Sequence, residues 1–476
     1  MRKAAGAICK LPTRVVLYAL TFLAQARYTV TEQNPLEQLP AGVVFSRSEH
    51  RISRADISDN ALKVLYRLNK AGYEAYLVGG GVRDLSLGRE PKDFDIATSA
   101  TPEEVRALFR NCRLIGRRFR LAHVHFGPEI IEVATFRAAH DGNGGNGGEE
   151  AELRDGMLVR DNVYGTVGED ALRRDFTINS LYYNIADFSV VDFAHGMDDL
   201  EDGVVRLIGD ADARYREDPV RMLRAIRFAA KLGFRIDPTA GDPMPAMAEL
   251  LEQVPPARLF EEVLKLLMSG QGAQTFDMLR RYGLFGPLFP GTEAALNADE
   301  HGTWVQFINA ALENTDRRIS DEKPVTPAFL FAALLWPVVV DLAREAMQEE
   351  GVSAVQAMQM AGADAVQEQV QRVSIPKRFS LPMREIFGLQ PRLEKQRGRR
   401  ALRLVSHPRF RAAYDFLVLR AAVGDAEQEL AGWWTRFQEG GEAQEALLNA
   451  APGRKRSGRR RRRRRGDAGE GGGDGQ

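Results

Sequence analysis

The sequence predicts an α+β protein in which a small mixed sheet with helices comes first and an all-helical region follows. Short apolar runs bounded by turn or charge signals, which are typical of strands, are confined to the first part of the chain. From about residue 170 to residue 448, apolar residues recur mainly at helical spacing, with one further β-like run at 189–193. At 476 residues the chain exceeds one typical domain, and we expect about two to four domains.

The predicted elements have recognisable start and stop signals. Ser58 is a candidate N-cap for a helix that ends at Gly72, and the next run is a strand that leads into Gly79. Thr101 and Glu104 frame a capping box that opens a second helix. The predicted strands are 73–78, 112–115, 121–126 and 130–136, and the later predicted helices are 222–232, 257–268, 272–282, 328–347 and 410–422.

The composition is typical of an intracellular globular protein. Hydrophobic residues make up 44% of the chain and charged residues 27%, so a sizeable core is available. Its two cysteines, Cys9 and Cys112, imply no disulfide framework and favour a reducing compartment. We therefore expect a cytoplasmic protein without a transmembrane segment.

The first 55 residues lack sustained periodicity and are predicted to form a poorly ordered leader. An apolar run at 15–24 and an A-x-A sequence at 24–26 imitate a secretory signal. Pro12 and Arg14 interrupt the approach to that run, which is also far too short to span a bilayer. A non-cleaved extension is therefore the preferred interpretation.

The formal net charge of zero hides an uneven distribution of charge. Residues 451–476 hold ten Lys and Arg against three acids, whereas the rest of the chain holds 55 basic and 62 acidic residues. This low-complexity tail is predicted to be disordered, and the Gly- and Asn-rich stretch 142–148 to be a mobile loop. The arginines at 459–465 point to a polyanionic partner, or to a tail that only aids solubility.

A glycine-rich turn is the first candidate binding feature. Gly79, Gly80 and Gly81 let backbone N–H groups approach an anion, and Arg83 on the following helix adds a guanidinium for phosphate oxygens. A dinucleotide-binding fold also uses glycines after its first strand, but the G-x-G-x-x-G spacing is missing here. The glycines taken alone also fit a simple tight turn.

An Asp-x-Asp pair follows the glycine-rich turn directly. On a strand, Asp93 and Asp95 would point to the same face, where two like charges repel unless a cation lies between them. Carboxylate oxygens suit Mg²⁺, and two such ions would activate a hydroxyl and stabilise a pyrophosphate leaving group. The alternative is a solvated acidic turn beside Lys92. Because the pair directly follows the glycine-rich turn, we prefer the interpretation as a metal site.

A two-metal site usually needs a third carboxylate, and the sequence offers two candidates. Asp175 lies in an Arg-Arg-Asp-Phe-Thr-Ile-Asn motif at the edge of the helical region, and we prefer it as part of the catalytic centre. Glu132 is a close rival because an unpaired acid on an apolar strand is costly unless a cation is near. Asp175 could instead be an N-cap or pair with a neighbouring arginine.

The remaining candidates are polar groups that could contact a nucleotide. Arg173, Arg174 and Asn179 could neutralise phosphates and bond a ribose hydroxyl. Asp218 and Arg221 lie within one helical turn and could present a donor and acceptor edge to a base, although such ion pairs are common on surfaces.

Two histidines, His123 and His125, lie on one predicted strand face. No Cys or acid at metal-ligand spacing accompanies them, so hydrogen bonding or packing is preferred over zinc binding.

Four ordered motifs together resemble the class II nucleotidyltransferases, the group of tRNA CCA-adding enzymes and bacterial poly(A) polymerases. They are Gly79–Asp84, Asp93–Asp95, Arg173–Asn179 and Glu217–Arg224. Within the group, Leu114–Phe126, Arg47–His50, Ile52–Arg54 and Tyr182–Tyr183 are similar to the poly(A) polymerase branch. The resemblance covers mainly residues 46–290.

The resemblance implies a nucleotidyltransferase palm followed by an all-helical neck, body and tail. It implies template-independent transfer of AMP from ATP to RNA 3′ ends with Mg²⁺, with Asp93 and Asp95 as metal ligands. Gly79, Gly80 and Arg83 would contact the triphosphate, and Asp218 and Arg221 would select the base. The alternatives are a CCA-adding enzyme or a non-catalytic RNA-binding protein on the same scaffold.

We expect five regions along the chain. They are a leader (1–55), a catalytic head (56–205), a helical neck for nucleotide selection and RNA binding (206–275), a helical body and tail for RNA binding (276–450), and the disordered Arg-rich tail (451–476).

Overall fold

The computed structural model describes most of the chain between residues 41 and 441. Outside this description lie 117–119, 139–150, 155–156, 162 and 395–397 within that range, and beyond it all residues except 444. The predictions for residues 1–40, for the loop 142–148 and for the tail 451–476 therefore fall outside the described residues.

A mixed sheet of eight strands forms the first half of the described chain. Its strand order is β1-β10-β9-β2-β3-β6-β5-β4, and β3 with β6 is a parallel pair in an otherwise antiparallel sheet. The strands are β1 (Val43–Phe45), β2 (Ala75–Val78), β3 (Asp95–Thr98), β4 (Cys112–Ile115), β5 (Leu121–Phe126), β6 (Glu129–Thr135), β9 (Leu181–Asn184) and β10 (Val190–Asp192).

Four further strands form two small ribbons outside this sheet. They are β7 (Ala151–Arg154) paired with β8 (Met157–Asp161), and β11 (Val204–Val205) paired with β12 (Arg235–Ile236).

Helices accompany the sheet and then make up the rest of the described chain. Those within the sheet region are α1 (Asp59–Lys70), α2 (Gly80–Ser86), α3 (Pro102–Leu108), α4 (Val167–Arg173) and α5 (Gly196–Asp202). Those that follow are α6 (Ala211–Glu217), α7 (Val220–Leu232), α8 (Pro238–Gly241), α9 (Met244–Met247), α10 (Pro256–Leu267), α11 (Gly272–Arg281), α12 (Phe285–Leu288), α13 (Pro290–Ala298), α14 (Thr303–Ser320), α15 (Pro327–Glu349), α16 (Ala354–Arg372), α17 (Lys377–Leu393), α18 (Gly398–Val405), α19 (Phe410–Ala422) and α20 (Gln428–Gln438).

The two faces of the sheet have different surroundings. One face, which we call the inner face, is covered by α1 and α3 and buries an apolar row that includes Ile96, Val124 and Val133. The opposite face carries Asp95 and Glu132, and we call it the cavity face. On β2, β3 and β9 the cavity face is covered by α4 through a small apolar cluster: Val78, Ala97, Phe136, Ala171 and Tyr182.

The long helix α15 is apolar because it forms the centre of the helical region. By length and composition it could cross a membrane, yet 61% of its most apolar window is buried inside the protein. Its Trp336 is fully buried and donates a hydrogen bond through Nε1 to Asp425 Oδ2 at 2.9 Å. Burial against neighbouring helices therefore explains the composition of this segment.

The α+β fold class is confirmed, and several local predictions agree with the structure. The Ser58 hydroxyl caps α1 by accepting from the N–H groups of Asn60 and Ala61. Thr101 and Glu104 form both hydrogen bonds of a capping box at the start of α3. Strands β4 and β5 have the predicted bounds. Local signals were strong enough here for sequence reasoning to succeed.

Two local predictions were wrong. The segment Leu181–Asn184 was included in the helical region but forms β9, which lies between β2 and β10 in the sheet. The predicted leader extends to residue 55, but its described part contains β1, which pairs with β10 at the sheet edge. Both strands are too short to show an alternating pattern. Among the described strands, β1 pairs only with the distant strand β10, and β9 pairs with the distant strand β2 as well as with its neighbour β10.

Candidate active site

A polar cavity of about 410 Å³ lies between the cavity face of the sheet and the helices α6, α7 and α10. It collects acids from the sheet and arginines from the helices, which are far apart in the sequence. The predicted site residues that line it are Asp95, Glu132, Arg173, Arg174, Asp175, Asp218 and Arg221.

Two carboxylates lie side by side at the sheet end of the cavity. Asp95 on β3 is the register partner of Glu132 on the parallel strand β6. Neighbouring strands are about 4.8 Å apart, so both side chains project from the same face at adjacent positions. Glu132 Oε2 also lies 3.3 Å from His123 Nε2 on β5. The register therefore brings together two acids separated by more than thirty positions.

The pKa of the Asp95 carboxyl group is raised by this arrangement. Burial and the neighbouring Glu132 raise its pKa to about 6, with Asp93 adding to the shift and Arg174 opposing it. Surplus negative charge on hard oxygen donors is a fitting site for Mg²⁺. Among the described residues, no three His, Cys, Asp or Glu side chains form a group that could hold a metal ion.

Asp93 does not lie on a strand as predicted. It is exposed and comes two residues before β3, which begins at Asp95. Its backbone oxygen lies 3.5 Å from the position that a Cβ atom of Gly81 would occupy. The glycine-rich turn thus packs directly against the start of the acidic segment.

The turn itself depends on one glycine. Gly79 has φ +68° and ψ −135°, a conformation that residues with a Cβ atom avoid, and α2 begins at the next residue. A Cβ atom on Gly79 would lie 3.4 Å from Arg174 Nη1, and one on Gly80 would lie 3.6 Å from Arg83 Nη2. Both guanidinium groups therefore lie next to the backbone of the turn, and the positive φ of Gly79 is the feature that requires glycine.

Arg174 is held in place by a buried network. Its Nε donates to the Tyr182 hydroxyl at 2.8 Å, its Nη2 donates to Asp170 Oδ2 at 3.1 Å, and the Tyr182 hydroxyl donates to Asp170 Oδ2 at 2.6 Å. Burial disfavours the charge, but Tyr182 and Asp170 more than offset this effect and raise the Arg174 pKa. Arg174 therefore stays cationic beside Gly79.

Arg173 lies close to several other arginine side chains. Its Nη1 donates to the Ala138 carbonyl oxygen at 2.5 Å. Burial, followed by repulsion from Arg137, lowers the Arg173 pKa to about 10, with further repulsion from Arg214 and Arg221. An anion in the cavity would relieve this repulsion, which is the arrangement expected for a triphosphate site.

Asp175, which we preferred as part of the catalytic centre, is paired with other side chains at the edge of the cavity. Its Oδ2 accepts from Arg224 Nε at 2.5 Å, and its Oδ1 accepts from Asn179 Nδ2 at 3.3 Å. Burial alone would raise the Asp175 pKa, but Arg224 and Asn179 hold it below its usual value. The structure thus pairs Asp175 with a helix arginine, whereas Glu132 is the acid beside Asp95.

Arg83 and Asn179 lie behind the cavity wall. Arg83 is only 3% exposed, and its Nη1 donates to Asn179 Oδ1 at 2.7 Å while its Nε donates to Asp84 Oδ1 at 2.8 Å. With Asp175 and Arg224 they form a continuous chain of contacts from α2 to α7. In this structure the chain fixes the relative position of the glycine-rich turn and the helix that carries Arg221.

The predicted base-contacting pair lies on the helix side of the cavity. Arg221 Nη1 donates to Glu217 Oε2 at 2.6 Å and to the Arg214 carbonyl oxygen at 2.8 Å. Asp218 Oδ2 accepts from Arg258 Nη2 at 2.7 Å. Both side chains are therefore oriented by a second charged residue.

Sequence reasoning missed several residues that organise this cavity, because no local motif marks them. Arg214 is the clearest case: its Nη2 donates at 2.6 Å to the carbonyl oxygens of both Arg173 and Arg174, so it joins α6 to the end of α4. The others are Arg137, Asp170, Arg258 and Glu262. Tyr182 was noted only as part of the Tyr182–Tyr183 pair, and its contacts with Arg174 and Asp170 come from the placement of β9 in the sheet.

Three family models match successive parts of the chain. Residues 75–206 match "Poly A polymerase head domain", residues 233–296 match "Probable RNA and SrmB- binding site of polymerase A", and residues 350–467 match "Polymerase A arginine-rich C-terminus". All three descriptions refer to the same kind of polymerase.

Curated relatives give the same result over longer stretches. Poly(A) polymerase I of Salmonella typhimurium is 53% identical over 90% of this chain and 94% of its own. Poly(A) polymerase I of Haemophilus influenzae is 46% identical over 85% and 90%. A CC-adding tRNA nucleotidyltransferase of Halalkalibacterium halodurans is 34% identical over 50% of this chain and 55% of its own.

Solved structures agree with the fold. The Bacillus stearothermophilus CCA-adding enzyme in complex with CTP has a TM-score of 0.52 and 26% identity, over 80% of both chains. A tRNA-processing enzyme in its apo form has a TM-score of 0.55 and 21% identity, over 81% of this chain and 98% of that one. The resemblance inferred from the sequence motifs is confirmed, and the chain belongs to the poly(A) polymerase family of nucleotidyltransferases.

Proposed function

We propose that this protein adds AMP from ATP to RNA 3′ ends without a template and releases pyrophosphate. One observation carries the proposal: a single cavity joins the acids Asp95 and Glu132 to an arginine cluster and to the Asp218 and Arg221 pair. Such a cavity accommodates the three parts of a nucleotide-transfer reaction, namely the attacking hydroxyl, the triphosphate and the base. We further propose that the reaction takes place in the cytoplasm and promotes RNA turnover.

The residues of the cavity would have different roles in the reaction. Arg173 and Arg174, with the backbone of Gly79 and Gly80, would bind the triphosphate, and pyrophosphate would leave toward these groups. The RNA 3′ hydroxyl would attack the α-phosphate in line beside Asp95. Mg²⁺ bound by the carboxylates would lower the pKa of that hydroxyl and offset charge on the leaving group. Positioning and electrostatics would supply most of the acceleration.

We propose Asp93, Asp95 and Glu132 as the metal ligands. The parallel register of β3 and β6 supports Glu132, and the ion pair with Arg224 supports a positioning role for Asp175. Arg83 and Asn179 would act on the triphosphate indirectly, by holding the glycine-rich turn.

Glu132→Gln and Asp175→Asn should therefore have different effects. We expect Glu132→Gln to raise the Mg²⁺ concentration for half-maximal activity by about tenfold or more, because a ligand oxygen is lost. Asp175→Asn should leave that concentration unchanged but lower the free energy of unfolding by about 2 kcal/mol, because Arg224 loses its partner. Mg²⁺ titrations and thermal melts of both variants measure this. The assignment fails if Asp175→Asn shifts the Mg²⁺ requirement and Glu132→Gln does not.

The choice of adenine distinguishes the proposal from CCA addition. Asp218 and Arg221 would read the base, and the high identity to poly(A) polymerases over nearly the whole chain favours ATP. With purified protein and RNA of unrelated sequence, we expect long A tails from ATP and little incorporation from CTP. Addition of C and then A to a tRNA lacking its end would establish the alternative, and binding without incorporation would indicate a non-catalytic RNA-binding protein.

The helical regions would hold the RNA. The matched RNA-binding model at 233–296 supports this for the helices from α8 to α13. We keep the regions proposed above, with a neck at 206–275 and a body and tail at 276–450, and we propose that the Arg-rich segment 451–476 contacts RNA or RNA-decay proteins.

A further inference from the structure

Among the described residues, the cavity face of the sheet is covered by α4 only on β2, β3 and β9, and exposed side chains on the neighbouring strands border the catalytic acids. Alternation along β4, β5 and β6 assigns six side chains to this part of the face, which we call the open strip. They are Arg113, Ile115, Leu121, His123, His125 and Ile130, on the same face as Glu132 according to the strand registers.

The open strip continues directly into the active-site cavity. Glu132 pairs in register with His123, and His123 pairs with Arg113 on the edge strand β4. Leu121 itself lines the cavity. A molecule lying on the strip would therefore have one end beside Asp95.

The composition of the strip is unusual for a solvent-facing sheet surface. An antiparallel sheet that faces water on one side normally carries polar residues there. Here Ile115 and Ile130 are 40% and 45% exposed, whereas the inner-face residues of the same strands, such as Val124 and Val133, are buried. The strip combines the charge of Arg113 with two imidazole rings and three apolar side chains, and positive charge beside flat ring surfaces suits single-stranded nucleic acid.

The strip also lies on the correct side of the catalytic acids. The arginines that suit a triphosphate come from α4, α6 and α7, and the glycine-rich turn follows β2, which lies on the other side of β3 from β6, β5 and β4 in the strand order. The attacking strand must approach the α-phosphate from the side opposite the leaving group. Strands β6, β5 and β4 extend away from the acids on that opposite side over about 10 Å, which corresponds to about three stacked nucleotides.

We propose that the open strip binds the last nucleotides of the RNA acceptor strand and presents the 3′ hydroxyl to the catalytic acids. Arg113 would contact phosphate, while His125 and the apolar side chains would contact bases and riboses. His123 and His125, whose ring centroids are 6.3 Å apart, offer flat surfaces for such contacts. The inference rests on the proposed function, since it assigns the site of its second substrate.

Charge reversal at the edge of the strip tests the proposal. Arg113→Glu should raise the KM for RNA about tenfold, because one phosphate contact becomes repulsive, and should leave the KM for ATP unchanged. The effect should be as large with an adenosine trinucleotide as with a long RNA, because only the terminal nucleotides reach the strip. Ile130→Ser should act in the same direction without a change of charge.

Arg106→Glu is the matched control. Arg106 is also exposed and makes the same change of charge, but it lies on α3, which covers the inner face. We expect wild-type KM values for this variant and unchanged thermal unfolding for all three. If Arg113→Glu and Ile130→Ser behave like the control while the wild type polymerises, the strip is not the acceptor site and the proposed function stands.

A direct contact test does not depend on turnover. RNA carrying 4-thiouridine at the second position from its 3′ end should crosslink to peptides from β5 and β6, within 121–135. Crosslinks confined to the helical regions would overturn the proposal, even for a protein in which no AMP incorporation is detected.

Discussion

Asp95→Asn is expected to reduce AMP incorporation by a factor on the order of a thousand, because the variant loses a proposed metal ligand at the centre of the site. RNA binding should persist, since the surfaces proposed for RNA lie outside this side chain. Single-turnover incorporation of labelled AMP measures the first effect, and an RNA mobility shift measures the second. Activity close to that of the wild type would contradict the metal assignment.

The same variant should be more stable than the wild type when no metal is present. The Asp95 pKa is raised to about 6 in the folded protein, so its charged form destabilises the fold at higher pH. Wild-type stability should therefore gain from this group as pH falls toward and below 6, whereas Asp95→Asn should show no such gain. Mg²⁺ should raise the unfolding temperature of the wild type more than that of the variant.

Glu201→Gln provides the control for both measurements. Glu201 is exposed on α5, away from the cavity, and makes the same chemical change of one acid to its amide. We expect its activity and its Mg²⁺-dependent stabilisation to match the wild type.

Arg221→Ala should have the second largest effect, on nucleotide choice. The Arg221 side chain is 11% exposed in the cavity and is oriented by Glu217. Its removal deletes a fixed hydrogen-bond donor edge, while Glu217 keeps its ion pair with Arg214. The preference for ATP over CTP, measured as the ratio of kcat/KM values, should fall about tenfold to a hundredfold. Incorporation of AMP should continue at saturating ATP, because the metal site is unchanged.

Arg216→Ala is the matched control for nucleotide choice. Arg216 lies on the same stretch of chain but is 62% exposed and pairs at the surface with Asp212. It should keep the wild-type preference. An unchanged ratio in Arg221→Ala would show that the base is selected elsewhere.

The parts of the fold that could be predicted are those with local signals. The caps at Ser58 and Thr101 and the alternating strands at 112–115 and 121–126 each carry their information within a few residues. The strands β1 and β9 could not be predicted in the same way. They are three and four residues long, and each pairs with a strand more than a hundred positions away, β10 for β1 and β2 for β9.

The residues of the candidate site also differ in whether local sequence signals identify them. Gly79, Asp93, Asp95 and Arg221 were recognisable because short motifs contain them. The preference for Asp175 over Glu132 was decided by motif membership, whereas the parallel pairing of β3 and β6 puts Glu132 beside Asp95 and α7 supplies Arg224 to Asp175. Strand order is a long-range property that residue spacing does not encode.

By itself, the sequence determined the chemistry available to this protein: glycines next to paired aspartates, followed by arginine motifs in the order of a nucleotidyltransferase. Only the tertiary structure decided which of these groups face one another. It placed Glu132 beside Asp95, buried Arg83 and left Ile115 and Ile130 exposed on the sheet face that carries the acids. The physical reason is that the residues of a motif are close together in the chain and can be recognised by their spacing. Contacts across the sheet depend instead on strand register and on which helices cover each face.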